Sequence, residues 1–449
     1  MSVTALLLAT AGGVALLLVL VIWLKLHAFV ALLLTSFVVA LIAGIPLADI
    51  VPTITAGMGD TLGFVAIVVG LGVMIGQIIQ VSGGAQRVAF TLIEKFGEER
   101  APLALGLTGF IVAIPVFFDV GLIILIPLAY AISRRLSRSL MYYAVPLTAG
   151  LAITHAFIPP TPGPVATAGI LGADLGWVII FGVVCGVPAF LIGGVAFGRY
   201  LGNTMDIEVP AYMVEDMEEE ATDPSEAPPF GLIVSLILLP LVLILANTLS
   251  QVVAAEGSTI RVVLTFLGDP VTALLLAALL TFYVLGVRRG WSRDRILEIA
   301  SKSLEPVGLI VLVTGAGGVF GAVLEEAGIG EALESALNAS GLPLVAAAFL
   351  IALAVRVALG SATAAAVTSA GIIAPLLDGQ DVSAPLLGLL VIVIACGATA
   401  LSHVNDSGFW LVNRYLGLTE AETLKSWTVM ETLLGCTGFA VALVISLFL

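Results

Sequence analysis

Gly70-Leu71-Gly72-Val73-Met74-Ile75-Gly76, followed by Gly83, decides the fold because the pattern occurs twice. Gly70, Gly72, Gly76 and Gly83 return as Gly315, Gly317, Gly321 and Gly328, each 245 residues later (315 − 70, 317 − 72, 321 − 76, 328 − 83). Farther along, Pro127 returns as Pro375 and His155 as His403, each 248 residues later (375 − 127, 403 − 155). An apolar chain built from two copies of one unit, with irregular polar stretches at matching places, is the pattern of a secondary transporter. Polar groups inside apolar spans are costly, so their recurrence in both copies points to a shared site between the repeats.

Composition agrees with a membrane-spanning chain. Hydrophobic residues make up 60% of the 449 and charged residues 11%, too little charge to cover a soluble globule. The apolar runs reach the roughly 20 residues that a spanning helix needs. The first, Leu6 to Leu24, has no basic stretch before it and no small-residue cleavage site after it. It reads as a retained first helix, not a signal peptide. Cys185, Cys396 and Cys436 all lie in apolar runs without metal-ligand spacing, so neither a disulfide framework nor a metal site is expected. The net charge of −14 argues against nucleic acid as a partner. Much of it sits in the acidic stretch 205–226 (MDIEVPAYMVEDMEEEATDPSE), which reads as a solvated linker between two halves, 1–200 and 230–449.

Cytoplasmic loops are enriched in Lys and Arg, which places three clusters inside: Arg87, Lys95 and Arg100; Arg134, Arg135 and Arg138; and Arg288 to Lys302. The apolar stretch Ala101 to Ile132 joins two of these clusters, so it must fold back as a re-entrant hairpin or a tight helix pair. Its turn is expected near Pro115–Asp119, where proline and a charge interrupt the run. Working outward predicts helices near 5–24, 29–46 and 62–82, the hairpin at 101–132, a broken segment at 141–171 and a helix at 176–198. The second half repeats this as 230–250, 262–286, 304–324, a hairpin at 341–377, a broken segment at 384–413 and a helix at 428–448. An odd number of crossings per half makes the two repeats inverted and both termini periplasmic, an arrangement suited to alternating access.

Four stretches break the membrane pattern. Two are the hairpin turns, Ile114 to Gly121 and Arg356 to Ala364. The other two are Thr154-His155-Ala156-Phe157-Ile158-Pro159-Pro160-Thr161-Pro162-Gly163-Pro164 and Ser402-His403-Val404-Asn405-Asp406-Ser407-Gly408-Phe409-Trp410. Four prolines within 159–164 cannot continue a helix, and the Asn405 to Gly408 run is rich in turn formers. Unwound spans expose carbonyls to a cation and half-helix N-termini to an anion. Arg356 lies deep in an apolar run, and its fork fits either a substrate carboxylate or a fixed partner, Asp119 or Asp406. Asp119 could carry a proton or act as a counter-ion. His155 and His403 could titrate or could simply donate to backbone carbonyls. Asn405 and Asp406 are adjacent polar side chains in a span, which favours a functional role. The glycine stretches read as close-packing surfaces, with Gly72-x-x-x-Gly76 spacing, not as a nucleotide loop. Ser402 beside His403 makes a poor nucleophile and base, since neighbours along a helix do not face each other. An intramembrane enzyme is therefore the weaker alternative, and a channel weaker than a carrier.

Five stretches together resemble one family. They are Ser82-Gly83-Gly84-Ala85-Gln86-Arg87, the proline-rich 154–164 segment, Phe266-Leu267-Gly268-Asp269-Pro270, Arg356-Val357-Ala358-Leu359-Gly360-Ser361-Ala362-Thr363, and the 402–410 segment. They look like those of the gluconate:proton symporter (GntP) family of bacterial permeases, and the likeness spans nearly the whole chain. The resemblance implies an all-α polytopic membrane protein of the ion transporter superfamily. Its fold would be two inverted-topology repeats, each with a re-entrant hairpin and a discontinuous transmembrane helix. It further implies proton-driven uptake of gluconate or a related sugar acid across the inner membrane. Carriers of D-serine, fructuronate and glycerate share these motifs, and sodium coupling is the alternative within transport. The expected substrate site comprises Arg356, Gly360, Ser361, Thr363, Thr161, His155, His403 and Asn405, with Asp119, His155 and Asp406 as ion-coupling groups. The partners are a sugar acid, protons and the lipid bilayer. No cofactor is called for, and a homodimer is compatible with the reading.

Overall fold

The computed structural model describes residues 8, 12–17, 19–210, 227–305, 307–328, 341–377, 381–404 and 406–449, and every regular element among them is helical. Of the helix expected at 5–24, residues 12–17 are helical and Val19–Trp23 form a π-helical turn, and the remainder lies largely outside the described residues. Helix α1 (Ala28–Ala43) stops at Gly44, whose φ of 80° lets its N–H turn back to the Ala40 and Leu41 carbonyls. Next comes α2 (Leu47–Val81). It is 35 residues long where the sequence predicted only 62–82. Pro52 lies near its start, and the exposed Asp49 and Asp60 gave that end a loop-like composition. At 1.5 Å per residue α2 spans about 52 Å, so it extends well past a hydrocarbon core of about 30 Å.

The hairpin follows a short helix, α3 (Gly84–Phe96), and its arms are α4 (Ala101–Val112) and α5 (Phe118–Leu136). The turn falls at 113–117, within the region marked by Pro115. The broken helix comprises α6 (Met141–Phe157) and α7 (Pro162–Leu171), separated by the Pro159–Pro160 stretch, whose peptide bond is cis. The long helix α8 (Leu175–Thr204) closes the half.

The second half opens with α9 (Phe230–Val253) and then corrects an expectation. Instead of one helix at 262–286 there are two, α10 (Thr259–Leu267) and α11 (Pro270–Arg289). Gly268-Asp269-Pro270 divides them. Asp269 caps α11 by accepting from the Val271 and Thr272 amides, and Pro270 takes the first helical position, where no N–H is needed. After α12 (Arg293–Ser303) and α13 (Val307–Glu326), a second hairpin is formed by α14 (Leu344–Leu359) and α15 (Ala362–Leu376). A second broken helix, α16 (Ala384–Thr399) and α17 (Ser407–Leu416), and the long α18 (Glu420–Ser446) complete the chain. Helix, hairpin, broken helix and long helix thus occur twice in the same order.

Among the described residues, six helices are long and apolar enough to cross a membrane. The chain brings the three basic clusters to one end of the molecule. Arg289 donates to the Ser82 carbonyl, Arg87 to the Ala227 carbonyl, and Arg135 pairs with Glu98. The hairpin therefore does return to the end it left. At the interface of the halves, a Cβ on Gly57 would meet Ala322 at 2.7 Å, while Gly318 abuts Thr61 and Gly315 abuts Met58 and Leu62. Rising numbers on α2 meet falling numbers on α13, so these two equivalent helices run antiparallel. Small residues allow this close approach, as the sequence predicted.

Candidate functional site

Each interruption ends one helix and starts another, and the four restarts are the N-termini of α5, α7, α15 and α17. The amides there point outward without intrahelical partners, so each restart carries a partial positive charge. The fold brings them together in crossed pairs. At α7 and α15, a Cβ on Gly163 would lie 3.8 Å from Thr363 Oγ1, so the first turns of the two helices face each other. At α5 and α17, the first-turn residues Phe118 and Gly408 both lie against the Trp427 indole, with ring centroids 5.2 Å apart for Phe118 and a Cβ on Gly408 only 3.2 Å from it. Each pair joins one half of the chain to the other.

The glycine face of α2 seats the first hairpin tip. A Cβ on Gly76 would overlap the Pro115 carbonyl oxygen, and one on Gly72 would lie 3.0 Å from the Pro160 ring. Gly72, Val73, Pro115, Phe117, Pro160 and Thr161 close around one small space where the hairpin tip meets the first helix break. On α13, Gly317 and Gly321 pack against Val367 and Gly371 of the second hairpin in the same way.

Arg356 sits in the last turn of α14, 1% exposed. Its Nη2 meets Asp406 Oδ2 at 2.6 Å. Of the two readings open to it, pairing with a fixed carboxylate therefore holds in this state, and the partner is Asp406, not Asp119. Asp406 also caps α17 by accepting from the Gly408 amide at 3.1 Å, and it accepts from the Ser402 hydroxyl at 2.5 Å. Trp427 Nε1 in turn donates to Ser402 Oγ at 2.7 Å. Ser402 is thus engaged with Asp406 and Trp427 and not with His403, as a nucleophile–base pair would require. His403 Nε2 lies 3.0 Å from the Val357 carbonyl, the ordinary structural use of a histidine. His155 differs: its Nδ1 is buried with no partner among the described residues, and its ring meets Phe117 edge-on at 5.9 Å.

Asp119 lies in the first turn of α5 and is exposed. Asp119 and His155 both lie within electrostatic reach of Asp406, which makes Asp406 the hub of the charged groups. Gly360 has φ of 81° at the second hairpin tip, and Ser361 caps α15 by accepting from the Ala364 amide at 3.3 Å. Thr161 donates to the Ile158 carbonyl at 2.6 Å. Asn405 lies outside the described residues. Two residues went unnoticed in the sequence, Trp427 and Glu431. Glu431 is 4% exposed and lies within electrostatic reach of both Arg356 and Asp406. The signal was present, since it is the lone charge between Trp427 and Leu449 in an apolar run.

Comparison with known proteins gives the same picture from two directions. The described fold is shared with the crystal structure of the YdaH transporter of Alcanivorax borkumensis, at a TM-score of 0.67 over 94% of this chain and 98% of that one, with 15% identity. In sequence, the chain is 41% identical over 444 residues to a low-affinity gluconate transporter of Escherichia coli (strain K12), covering 99% of each. It is 42% identical over 451 residues to the inner membrane permease YgbN of the same organism, covering 98% of each. The model of the GntP family permeases matches residues 4–448. With the family pattern running almost from end to end, and the hairpins and broken helices in the motifs that carry it, this chain belongs to the GntP family of permeases.

Proposed function

We propose that this chain is an inner-membrane, proton-coupled importer of gluconate or a closely related small hydroxylated monocarboxylate. One observation carries the reading: four helix N-termini meet in crossed pairs beside a buried Arg356–Asp406 pair. Such a place suits an anion, because unpaired amides and a guanidinium can all donate to a carboxylate. The likeness to a gluconate transporter over 99% of the chain supports the choice of ligand.

In this reading residues 1–200 and 230–449 are inverted repeats and 201–229 is a cytoplasmic linker, of which 211–226 lies outside the described residues. The antiparallel run of α2 against α13 supports the inversion. The substrate carboxylate is held by Arg356 or by the amides around Gly360. Ser361 accepts from a backbone amide, so its own proton is free for a ligand oxygen. Thr161 spends its proton on the Ile158 carbonyl, so its oxygen can accept from a sugar hydroxyl. Thr363, His155 and His403 complete the rim; Asn405, expected there from the sequence, lies outside the described residues. Binding by Arg356 opens its pair with Asp406, and Asp119, His155 and Asp406 are the candidate proton carriers. A proton gradient drives accumulation only if loaded and empty carriers differ in which forms move.

The test is uptake of labelled gluconate by proteoliposomes with an imposed pH gradient and no sodium. Accumulation that a protonophore collapses is the expected result. No uptake of gluconate, while D-serine or glycerate enters, overturns the choice of ligand. Uptake that requires sodium at constant proton gradient overturns proton coupling.

A further inference from the structure

The buried charges around Arg356 do not balance. Arg356 is a single cation, and Asp406 already engages its Nη2. Glu431 is a second buried carboxyl, 4% exposed, on α18. It lies one turn beyond Trp427, whose indole reaches Ser402 and through it Asp406. Glu431 Oε1 has no hydrogen-bond partner among the described residues, and neither do Nε and Nη1 of Arg356. The guanidinium therefore has donors to spare, and the carboxyl within its electrostatic reach has an oxygen to spare.

The elements packed against α18 include α6, α8, α14 and α16. Arg356 comes from α14, His155 from α6, Cys185 from α8 and Cys396 from α16, and Asp406 comes from the break before α17. On α18 itself Cys436 lies beyond Glu431, and Lys425 and Glu422 lie nearer its start. Arg356 is the one fixed cation in this buried group among the described residues. While Asp406 holds it, an ionised Glu431 would be a buried charge without a counter-ion, which is strongly disfavoured. A neutral carboxylic acid carries no such cost.

We propose that Glu431 is the residue that loads and releases the transported proton, and that Arg356 is shared between Asp406 and Glu431 as it does so. This rests on the proton-coupled reading above and gives to Glu431 the carrier's part for which Asp119, His155 and Asp406 were the candidates. With Arg356 on Asp406, Glu431 takes a proton and is neutral. That proton comes from the outer side. The substrate carboxylate then draws Arg356 from Asp406, which keeps the Ser402 hydroxyl and Gly408 amide as donors, and substrate and proton cross together. When the substrate leaves on the inner side, the guanidinium turns to Glu431: the O–H bond of the acid breaks, its proton leaves to inner water, and the carboxylate pairs with Arg356. The empty carrier returns in this form, and Glu431 takes its next proton from the outer side as Arg356 goes back to Asp406.

The test uses the full chain in proteoliposomes with the variant Glu431→Gln, which is permanently neutral and nearly the same size. At one proton per monovalent substrate, the wild-type protein accumulates gluconate about tenfold per unit of pH gradient. The variant is expected to lose gradient-driven accumulation while still exchanging labelled for unlabelled gluconate at equal pH. Accumulation equal to wild type overturns the assignment. A second measurement needs no substrate, namely the infrared band of a protonated carboxyl in the purified protein at neutral pH. It should be lost in Glu431→Gln and shifted in Glu431→Asp, which keeps the acid and retains accumulation. A band unmoved in Glu431→Asp overturns the assignment even if Glu431→Gln does not fold. Wild-type protein that moves no gluconate counts against the substrate reading alone, because the infrared test still decides whether Glu431 holds the proton.

Discussion

Gly76→Ala is the sharpest probe of how the first hairpin is seated. The added methyl would lie 2.7 Å from the Pro115 carbonyl carbon, closer than the 3.4 Å at which ordinary contact begins, and it would overlap the carbonyl oxygen more severely. The hairpin tip must therefore retreat by at least 0.7 Å (3.4 − 2.7). The obstacle is backbone at a proline, so no side-chain rotation relieves it, and overpacking of this kind costs about 1–3 kcal/mol. The same substitution at Gly72 meets a proline ring at 3.0 Å and needs a smaller adjustment. At Gly70 the nearest neighbour is Leu304 at 3.8 Å, so alanine fits, and its better helix propensity favours stability by up to about 1 kcal/mol. Thermal melting of the purified protein in detergent, with transport in proteoliposomes, should rank the variants as Gly70→Ala at or above wild type, Gly72→Ala slightly below, and Gly76→Ala lowest. A Gly76→Ala protein that melts and transports like wild type would show that the hairpin tip is not seated on this glycine face.

Three further substitutions test separate features. Removing both carboxylates within reach of Arg356, as in Asp406→Asn/Glu431→Gln, strands a buried guanidinium and should cost about 3–5 kcal/mol in chemical unfolding, whereas adding Arg356→Met to that pair should recover most of the loss. Asp269→Ala removes the cap of α11 and should lower stability by about 1 kcal/mol, with Asp269→Asn restoring it. Glu98→Gln breaks the pair with Arg135, whose side chains are 51% and 75% exposed, and should change unfolding by less than about 1 kcal/mol, even though the ion pair is 2.7 Å long.

Much of the fold was legible because it rests on local chemistry. The basic residues on both sides of 101–132 required a fold-back, and the turn falls at 113–117. Prolines at 159–164 and turn formers at 405–408 placed the two breaks. The errors were local as well. Polar residues hid the first part of α2, and the cap at Gly268-Asp269-Pro270 was read through as helix. The short helices α3 and α12 are amphipathic and lie beside basic clusters, where a search for long apolar runs does not find them.

The site was legible in its parts and not in its connections. Charges in apolar runs marked Arg356, Asp119 and Asp406 one by one, and Glu431 carried the same mark unnoticed. Apolar runs, basic clusters and the spaced recurrence of glycine, proline and histidine determined from sequence alone that this is a membrane permease of two similar halves. Each of those signals depends on a residue's own transfer energy or on its near neighbours. Only the tertiary structure decided that Arg356 pairs with Asp406, that Gly76 supports Pro115, and that Glu431 stands at the same guanidinium. These contacts join residues tens of positions apart, and they depend on how each hairpin docks against a broken helix, a geometry that no local pattern encodes.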